Sequence, residues 1–359
     1  MQLIVKTEQM QAMVTKAVKG AGNNKLIPIT SLMKIEAKDG QLILETTNGT
    51  NYVYVKQPVE IKSDFYAVVP VEIFSKLIAR ITRPQVTLEV ENSILTVYGN
   101  GEYSIALPLN EEGEAIVYPD PVAKVQMSEP TAKVPTATFK RILTTVKPSL
   151  AVTLEVPCHT GYYCGDKVIA TDGYKACAMD DNIFGVAKLI NPEAMTLFNI
   201  IEESSVNVYI ADKVLVFSTE DCIIYTREMD GIEDYPVEAI EGLLNLDFAS
   251  VCELDTANVL AALDRLALFV SPYDKNAIQL EFRDEELNIS NNELNSEESI
   301  SYTAPIELSA PVRVRIDVTI FTEQVKAISS NTFKLHFGRN NAIKLTSEGN
   351  ITQILALMS

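Results

Sequence analysis

In the stretch VPTATFKRILTTVKPSL, residues 134–150, Phe139, Ile142, Leu143 and Val146 recur at i, i+3, i+4 and i+7. That spacing predicts an amphipathic helix over 136–148, opened by Pro135 and Thr136, with Lys140, Arg141 and Lys147 on the opposite face. A strand over 167–170 follows and runs into a turn at Thr171-Asp172-Gly173, where Asp and Gly supply the backbone freedom of a tight reversal. The same helix-then-hairpin order occurs twice more. TEQMQAMVTKAVKG sets Met10, Met13, Val14, Ala17 and Val18 on one face, with Thr7 as N-cap, and two alternating strands follow around Asp39-Gly40. DTANVLAALDRLALFVS predicts a helix over 255–271, and AIQLEFRDEELNISNN a hairpin ending in Ser and Asn.

A second half repeats as well. Helical patterns over 71–82, 191–204 and 317–330 each precede paired strands over 86–109, 206–229 and 333–358. In the first of these helices Ile73, Phe74, Leu77, Ile78 and Ile81 are expected inward, Lys76 and Arg80 outward, and Arg83-Pro84 ends it. Asn100-Gly101 marks the following hairpin, which leads to Tyr103 and Ile105. A period of about 120 residues is too long for a solenoid and suits a domain. The expectation is an α+β chain of three tandem domains, 1–120, 121–243 and 244–359, each with two helices packed on antiparallel sheets. Residues 110–124, acidic and then YPDP, read as a linker, and 227–245 as a Gly/Pro-bearing connection.

The 359 residues, 47% hydrophobic and 22% charged, have an ordinary globular balance. No apolar run approaches 18 residues and no charged n-region precedes an h-region, so neither a membrane span nor a signal peptide is expected and the cytoplasm is the expected location. Five scattered cysteines then read as reduced thiols. Cys158-His159 and Cys164 lack the fourth ligand and paired spacing of a zinc site, so no metal and no cofactor is expected.

A net charge of −18 opposes general attraction to nucleic acid, but the distribution changes that reading. Lys16, Lys19, Lys76, Arg80, Lys140, Arg141, Lys147, Arg265 and Lys326 fall in or at the ends of helices, while carboxylates crowd turns and strands, for example Glu111, Glu112, Asp180, Asp181, Asp284 and Glu297. The helix over 191–204 breaks the pattern, with Glu202 and Glu203 and no basic residue. His159 and His336 stand in no nucleophile context, and GxxxxGK[ST], GxGxxG, GxSxG and HExxH are all absent. Asp172 before Gly173 reads as a turn residue, so no enzymatic activity is expected. Basic helices on three repeats inside an acidic exterior suit a protein that encloses DNA, where closure replaces affinity.

At this point the chain resembles the bacterial replicative sliding clamp, the beta subunit of DNA polymerase III. PTATFKRI is similar to the opening of that family's second domain, VIATDGYKACAM to its TDG segment, MDGIEDYPVEAI to its PDY stretch, and ITQILALMS to its final strand and tail. The resemblance implies a clamp fold whose single chain forms half of a ring, a head-to-tail homodimer encircling duplex DNA without reading its sequence, and partners in the polymerase catalytic subunit and the clamp loader. It also implies a peptide pocket at Leu154, Thr171, Gly173, Tyr174, Lys175, Ala176, Ile354, Ala356, Leu357 and Met358. Phe269 and Val270 would meet the partner copy's edge strand at Tyr103 and Ile105. Tyr174-Lys175 departs from the family's usual His or Arg after TDG, and LALMS from its usual tail. The loop before Leu154 is shorter, and the counterpart of a DNA-facing lysine falls near Pro192. DNA contact then rests on Lys25, Lys140, Arg141 and Lys147 with Lys16, Lys19, Lys76 and Arg80. Such divergence is compatible with a phage or mobile-element clamp acting in a host cytoplasm. The alternative is a clamp-derived scaffold or decoy that binds clamp partners without encircling DNA, and a third reading is a hydrolase using Asp172 or Cys158.

Overall fold

The computed structural model describes all residues except 62, 284–285, 292–295, 304–307, 309 and 359. Residues 284–285 and 292 of the hairpin expected over 277–292 therefore lie outside the described residues. Seven α-helices are present among the described residues: α1 Thr7–Ala17, α2 Val71–Ile78, α3 Thr136–Thr145, α4 Pro192–Leu197, α5 Val237–Leu244, α6 Thr256–Leu266 and α7 Val318–Lys326. All sheet pairing is antiparallel, and the chain divides into two compact units, 1–137 with 193–228 and 138–192 with 229–359.

The first unit holds a four-stranded sheet in the order Gln2–Lys6, Gln85–Glu91, Ile94–Tyr98, Glu102–Ala106. It also holds an eight-stranded sheet, in which Phe65–Pro70, Leu32–Lys38, Gln41–Thr47 and Asn51–Pro58 continue into Cys222–Arg227, Val214–Ser218, Ser205–Ala211 and Ala132–Pro135. The join is a full ladder, with Val55 opposite Cys222, Val53 opposite Ile224 and Tyr52 opposite Tyr225. Strands from the first and middle thirds of the chain thus share one sheet. Helices α1 and α2 lie together, and the Gln11 amide donates to the carbonyls of Ile78 (2.9 Å) and Ile81 (3.0 Å), capturing the end of α2.

The second unit repeats the arrangement. A four-stranded sheet runs Glu297–Ser301, Glu286–Asn291, Ala277–Arg283, Val312–Asp317, and an eight-stranded sheet joins Lys188–Ile190, Tyr162–Cys164, Val168–Thr171 and Lys175–Met179 to Ile351–Ala356, Ala342–Ser347, Thr332–Phe337 and Ser250–Asp255. Here Ala176 pairs with Ile354 and Cys177 with Gln353. Side chains of α6 and α7, among them Leu263, Leu266 and Phe321, pack into one core with both sheets, where Phe282 and Phe337 stack at 3.8 Å. Asp255 caps α6 through the Asn258 amide (2.8 Å), and Asp317 caps α7 through the amides of Thr319 and Ile320. The fold is therefore α+β, with helices packed on antiparallel sheets.

Several expectations are corrected. Helix α2 ends at Ile78, and Ile73 is exposed, because Phe74 and Ile78 form the buried line of a helix only two turns long, with Ile81 buried just beyond its end. Thr7 is the first residue of α1, and Lys6 holds the N-cap position. The helix over 255–271 is α6 followed by a 3-10 turn, Ala267–Phe269. The 227–245 connection contains α5, whose Ile240 and Leu244 are buried. The presumed linker is a strap held against the sheet of the first unit. Ile116 and Tyr118 cover Leu32 and Val68, while Val122, Val125 and Met127 cover Tyr54, Val216 and Tyr225. Tyrosines fasten it: Tyr66 Oη donates to Ile116 O and accepts from the Tyr118 amide, and Tyr118 Oη donates to Leu32 O, each at 3.0 Å.

Candidate partner-binding pocket and basic helix faces

The Val168–Thr171 and Lys175–Met179 strands are joined by a turn that its own side chains build. Thr171 Oγ1 donates to Lys175 O (2.8 Å) and accepts from the Gly173 amide, and Asp172 Oδ1 accepts from the amides of Tyr174 and Lys175. Gly173 takes φ +92°, a left-handed conformation that side chains rarely adopt. This turn projects Tyr174, 75% exposed, outward and turns Lys175 inward. Asp172 is a turn residue here, its carboxylate taken up by backbone amides.

Lys175 is buried, its Nζ 3.3 Å from Glu323 of α7 and 3.7 Å from Asp172. Two carboxylates at this range offset much of the cost of removing the ammonium from water. Above it opens a cavity of about 720 Å³, bounded by Pro148 after α3, by Leu150, Val152 and Leu154, and by Glu323 and Lys326 of α7 with Ala327 at its C-cap. Val152 and Leu154 are exposed apolar residues along that wall. A second cavity of about 510 Å³ lies around Tyr174, Ile320, Arg315 and the tail residues Ala356, Leu357 and Met358. Backbone bonds secure the tail there: the Ala356 amide to Tyr174 O, Leu357 to Asn341 O and Met358 to Arg315 O.

The ten residues of the expected pocket are thus divided. Leu154 and Lys175 border the first cavity, and Tyr174, Ala356, Leu357 and Met358 the second. Thr171 and Gly173 shape the turn between them. Ala176 and Ile354, opposite one another in the sheet, are buried among Tyr235, Ile240 and Leu244, in the cluster that α5 completes. Strand alternation explains the division, since Lys175 and Ala176 point to opposite faces. Sequence reasoning missed the α7 contribution, although Glu323, Lys326 and Ala327 at i, i+3 and i+4 share one helix face.

The eight expected DNA-facing cations differ in state. Lys19, Lys25, Arg80, Lys140 and Lys147 are exposed, with no carboxylate paired to them among the described residues. Lys16 lies 2.9 Å from Asp221 and 3.2 Å from Glu202, and these partners and burial act on it oppositely, with the net effect of raising its pKa. Lys76 pairs with Glu72 one turn earlier at 2.5 Å, and Arg141 pairs with Asp181. Of the expected dimer residues, Tyr103 and Phe269 are exposed, Ile105 is buried against its own sheet, and Val270 packs partly on the core. Tyr103 lies on Glu102–Ala106, which is the edge strand of its sheet.

The five cysteines are buried free thiols, and burial pushes Cys177, Cys222 and Cys252 up to about 12, far from a reactive thiolate. Among the described residues no group of His, Cys, Asp and Glu is placed to hold a metal ion, and no helix is long and apolar enough to cross a membrane.

Residues 1–115 match the family model of the DNA polymerase III beta subunit, N-terminal domain. No curated protein sequence matches the chain. The fold, in contrast, matches solved structures over its whole length. A DNA polymerase sliding clamp from Bacillus subtilis superposes with a TM-score of 0.87 at 16% identity, covering 100% of this chain and 99% of that one. The beta subunit from the DNA polymerase of Streptococcus pyogenes gives 0.86 at 18% identity with both chains fully covered. The DNA polymerase III beta subunit from Thermotoga maritima gives 0.84 at 15%, covering 100% and 99%. The chain has the sliding-clamp fold.

Proposed function

We propose that this chain is a DNA sliding clamp, a non-catalytic processivity factor that encircles duplex DNA and tethers a replicative polymerase. The observation that carries the reading is the full-length fold match, to which the match of residues 1–115 adds an independent sequence signal. On this reading the segments 1–120, 121–243 and 244–359 are three clamp domains whose sheets fuse at two joins, Asn51–Pro58 with Cys222–Arg227 and Lys175–Met179 with Ile351–Ala356. Two copies close head to tail, the exposed Leu268 and Phe269 of one meeting the Tyr103 edge strand of the other. An unpaired sheet edge with an exposed aromatic is a natural site for such closure. The cavities beside Lys175 and Tyr174 receive short partner peptides from the polymerase and the clamp loader, and the protein works in the cytoplasm on the nucleoid, or in a host cytoplasm if a phage encodes it.

Solution molar mass by light scattering over a concentration series tests the assembly. A mass near twice 39.6 kDa that falls to the monomer in Phe269→Asp supports the closed dimer. A monomer at every concentration refutes a pre-formed ring and favours the clamp-derived decoy.

A further inference from the structure

Arg141 and Lys16 are not presented as free charges. The Arg141 guanidinium pairs with Asp181, and it lies so close to the turn at Gly349 that a Cβ there would stand 3.2 Å from Nη1. Its Nε is buried. Lys16 is held by Asp221 and Glu202, and its side chain is 14% exposed. Lys140, beside Arg141 in α3, and Lys147 just past the helix are exposed and unpaired among the described residues. A cation gains from a phosphate only if it can be spared by its present partner, and each cation that does engage adds one released counterion.

We infer that Asp181, and Asp221 with Glu202, are positioning residues that withhold Arg141 and Lys16 from the phosphate backbone, so that Lys140 and Lys147 carry the contact made by the α3 region. This rests on the sliding-clamp reading. It gives the acidic partners a function beyond stability: they keep the contact with DNA weak enough to slide.

The test is equilibrium binding of the full chain to a short labelled duplex, by anisotropy, across a salt series. Lys140→Gln and Lys147→Gln should each flatten the slope of log affinity against log salt by about 0.9, and Arg141→Gln and Lys16→Gln should leave it unchanged. Asp181→Asn, which frees Arg141, should steepen it by about 0.9, equivalent to a further ~3.5-fold loss of affinity between about 50 and about 200 mM salt. Far-UV circular dichroism checks that each variant is folded. Arg141→Gln flattening the slope as much as Lys140→Gln, or Asp181→Asn leaving it unmoved, overturns the inference while the clamp reading stands. Wild-type protein with no salt-dependent binding overturns both.

Discussion

The buried row Lys34, Glu45 and Tyr54 should govern how the eight-stranded sheet of the first unit responds to pH. The three residues stand opposite one another on adjacent strands, Lys34 Nζ 2.6 Å from Glu45, and the strap of residues 116–127 roofs the row, with Tyr54 Oη donating to Asp120 at 3.1 Å. Glu45 is fully buried, and desolvation, opposed by Lys34, raises its pKa from 4.5 to about 7. A carboxyl whose folded value is raised contributes stability that is fully present below its unfolded value and is lost as pH rises through the folded one. The window is therefore 4.5 to about 7, and its full span corresponds to ~3 kcal/mol as an upper bound. Lys34→Met leaves the Glu45 carboxylate buried without its cation, so at alkaline pH it should cost ~3–5 kcal/mol. In weak acid Glu45 takes up a proton and the cost should shrink. Glu45→Gln should cost less, because Lys34 keeps Glu36 at 3.3 Å. Amide hydrogen exchange in Leu32–Lys38 and Gln41–Thr47 at two pH values reads this locally, without assuming that both units unfold together. A penalty for Lys34→Met below ~1 kcal/mol at alkaline pH, or one that grows on acidification, would refute the reasoning.

Other outcomes follow from the same structure. Gly20→Ala should destabilise by ~1–3 kcal/mol in thermal melts, since its Cβ would meet Val53 Cγ2 at 2.6 Å and Thr46 Oγ1 at 2.7 Å. Asp317→Ala removes the acceptor for two amides of α7 and should cost ~1 kcal/mol, read from the urea midpoint. His336, lowered to about 4 by burial and by Lys344 and Lys334, should make the second unit lose stability as pH falls from about 6.5 towards 4, and His336→Gln should reduce that acid sensitivity. Gly173→Ala forces a side chain into φ +92°, costs ~1 kcal/mol or more and re-aims Tyr174, so a polymerase-derived peptide should bind more weakly in calorimetry while the far-UV spectrum holds.

Regular periodicity made the repeated helices and hairpins legible. Phe139, Ile142 and Val146 are buried as their spacing demands, and Asp39 and Gly40 both take positive φ at the first hairpin turn. The losses came where local signals compete. Acidic residues and YPDP suggested a free linker, but Ile116, Tyr118, Val122, Val125 and Met127 bury apolar surface on the sheet, and that outweighs the turn chemistry. Gly231 and Pro236 masked α5, although Val237, Ile240 and Leu244 already had helical spacing. Nor could alternation alone assign a face. Lys175 and Ala176 stand side by side in the sequence, yet one borders a cavity and the other a core, because α5 covers one side of that sheet and α7 the other.

Charge was the least legible property, for a reason the ion pairs make plain. The partners of Lys16 lie about two hundred residues away, at Glu202 and Asp221, and Asp181, the partner of Arg141, stands forty residues on in the loop after the Lys175–Met179 strand. A chain with 48 acidic and 30 basic residues brings such carboxylates within reach of many of its cations on folding. A basic stripe counted on isolated helices therefore overstates the charge that can meet a phosphate. The surplus of carboxylates sets which cations remain available, and in α3 that choice separates Lys140 from its neighbour Arg141. A protein that must hold DNA without gripping it gains from this arrangement, since closure of a ring supplies retention and each withheld cation lowers the friction of sliding.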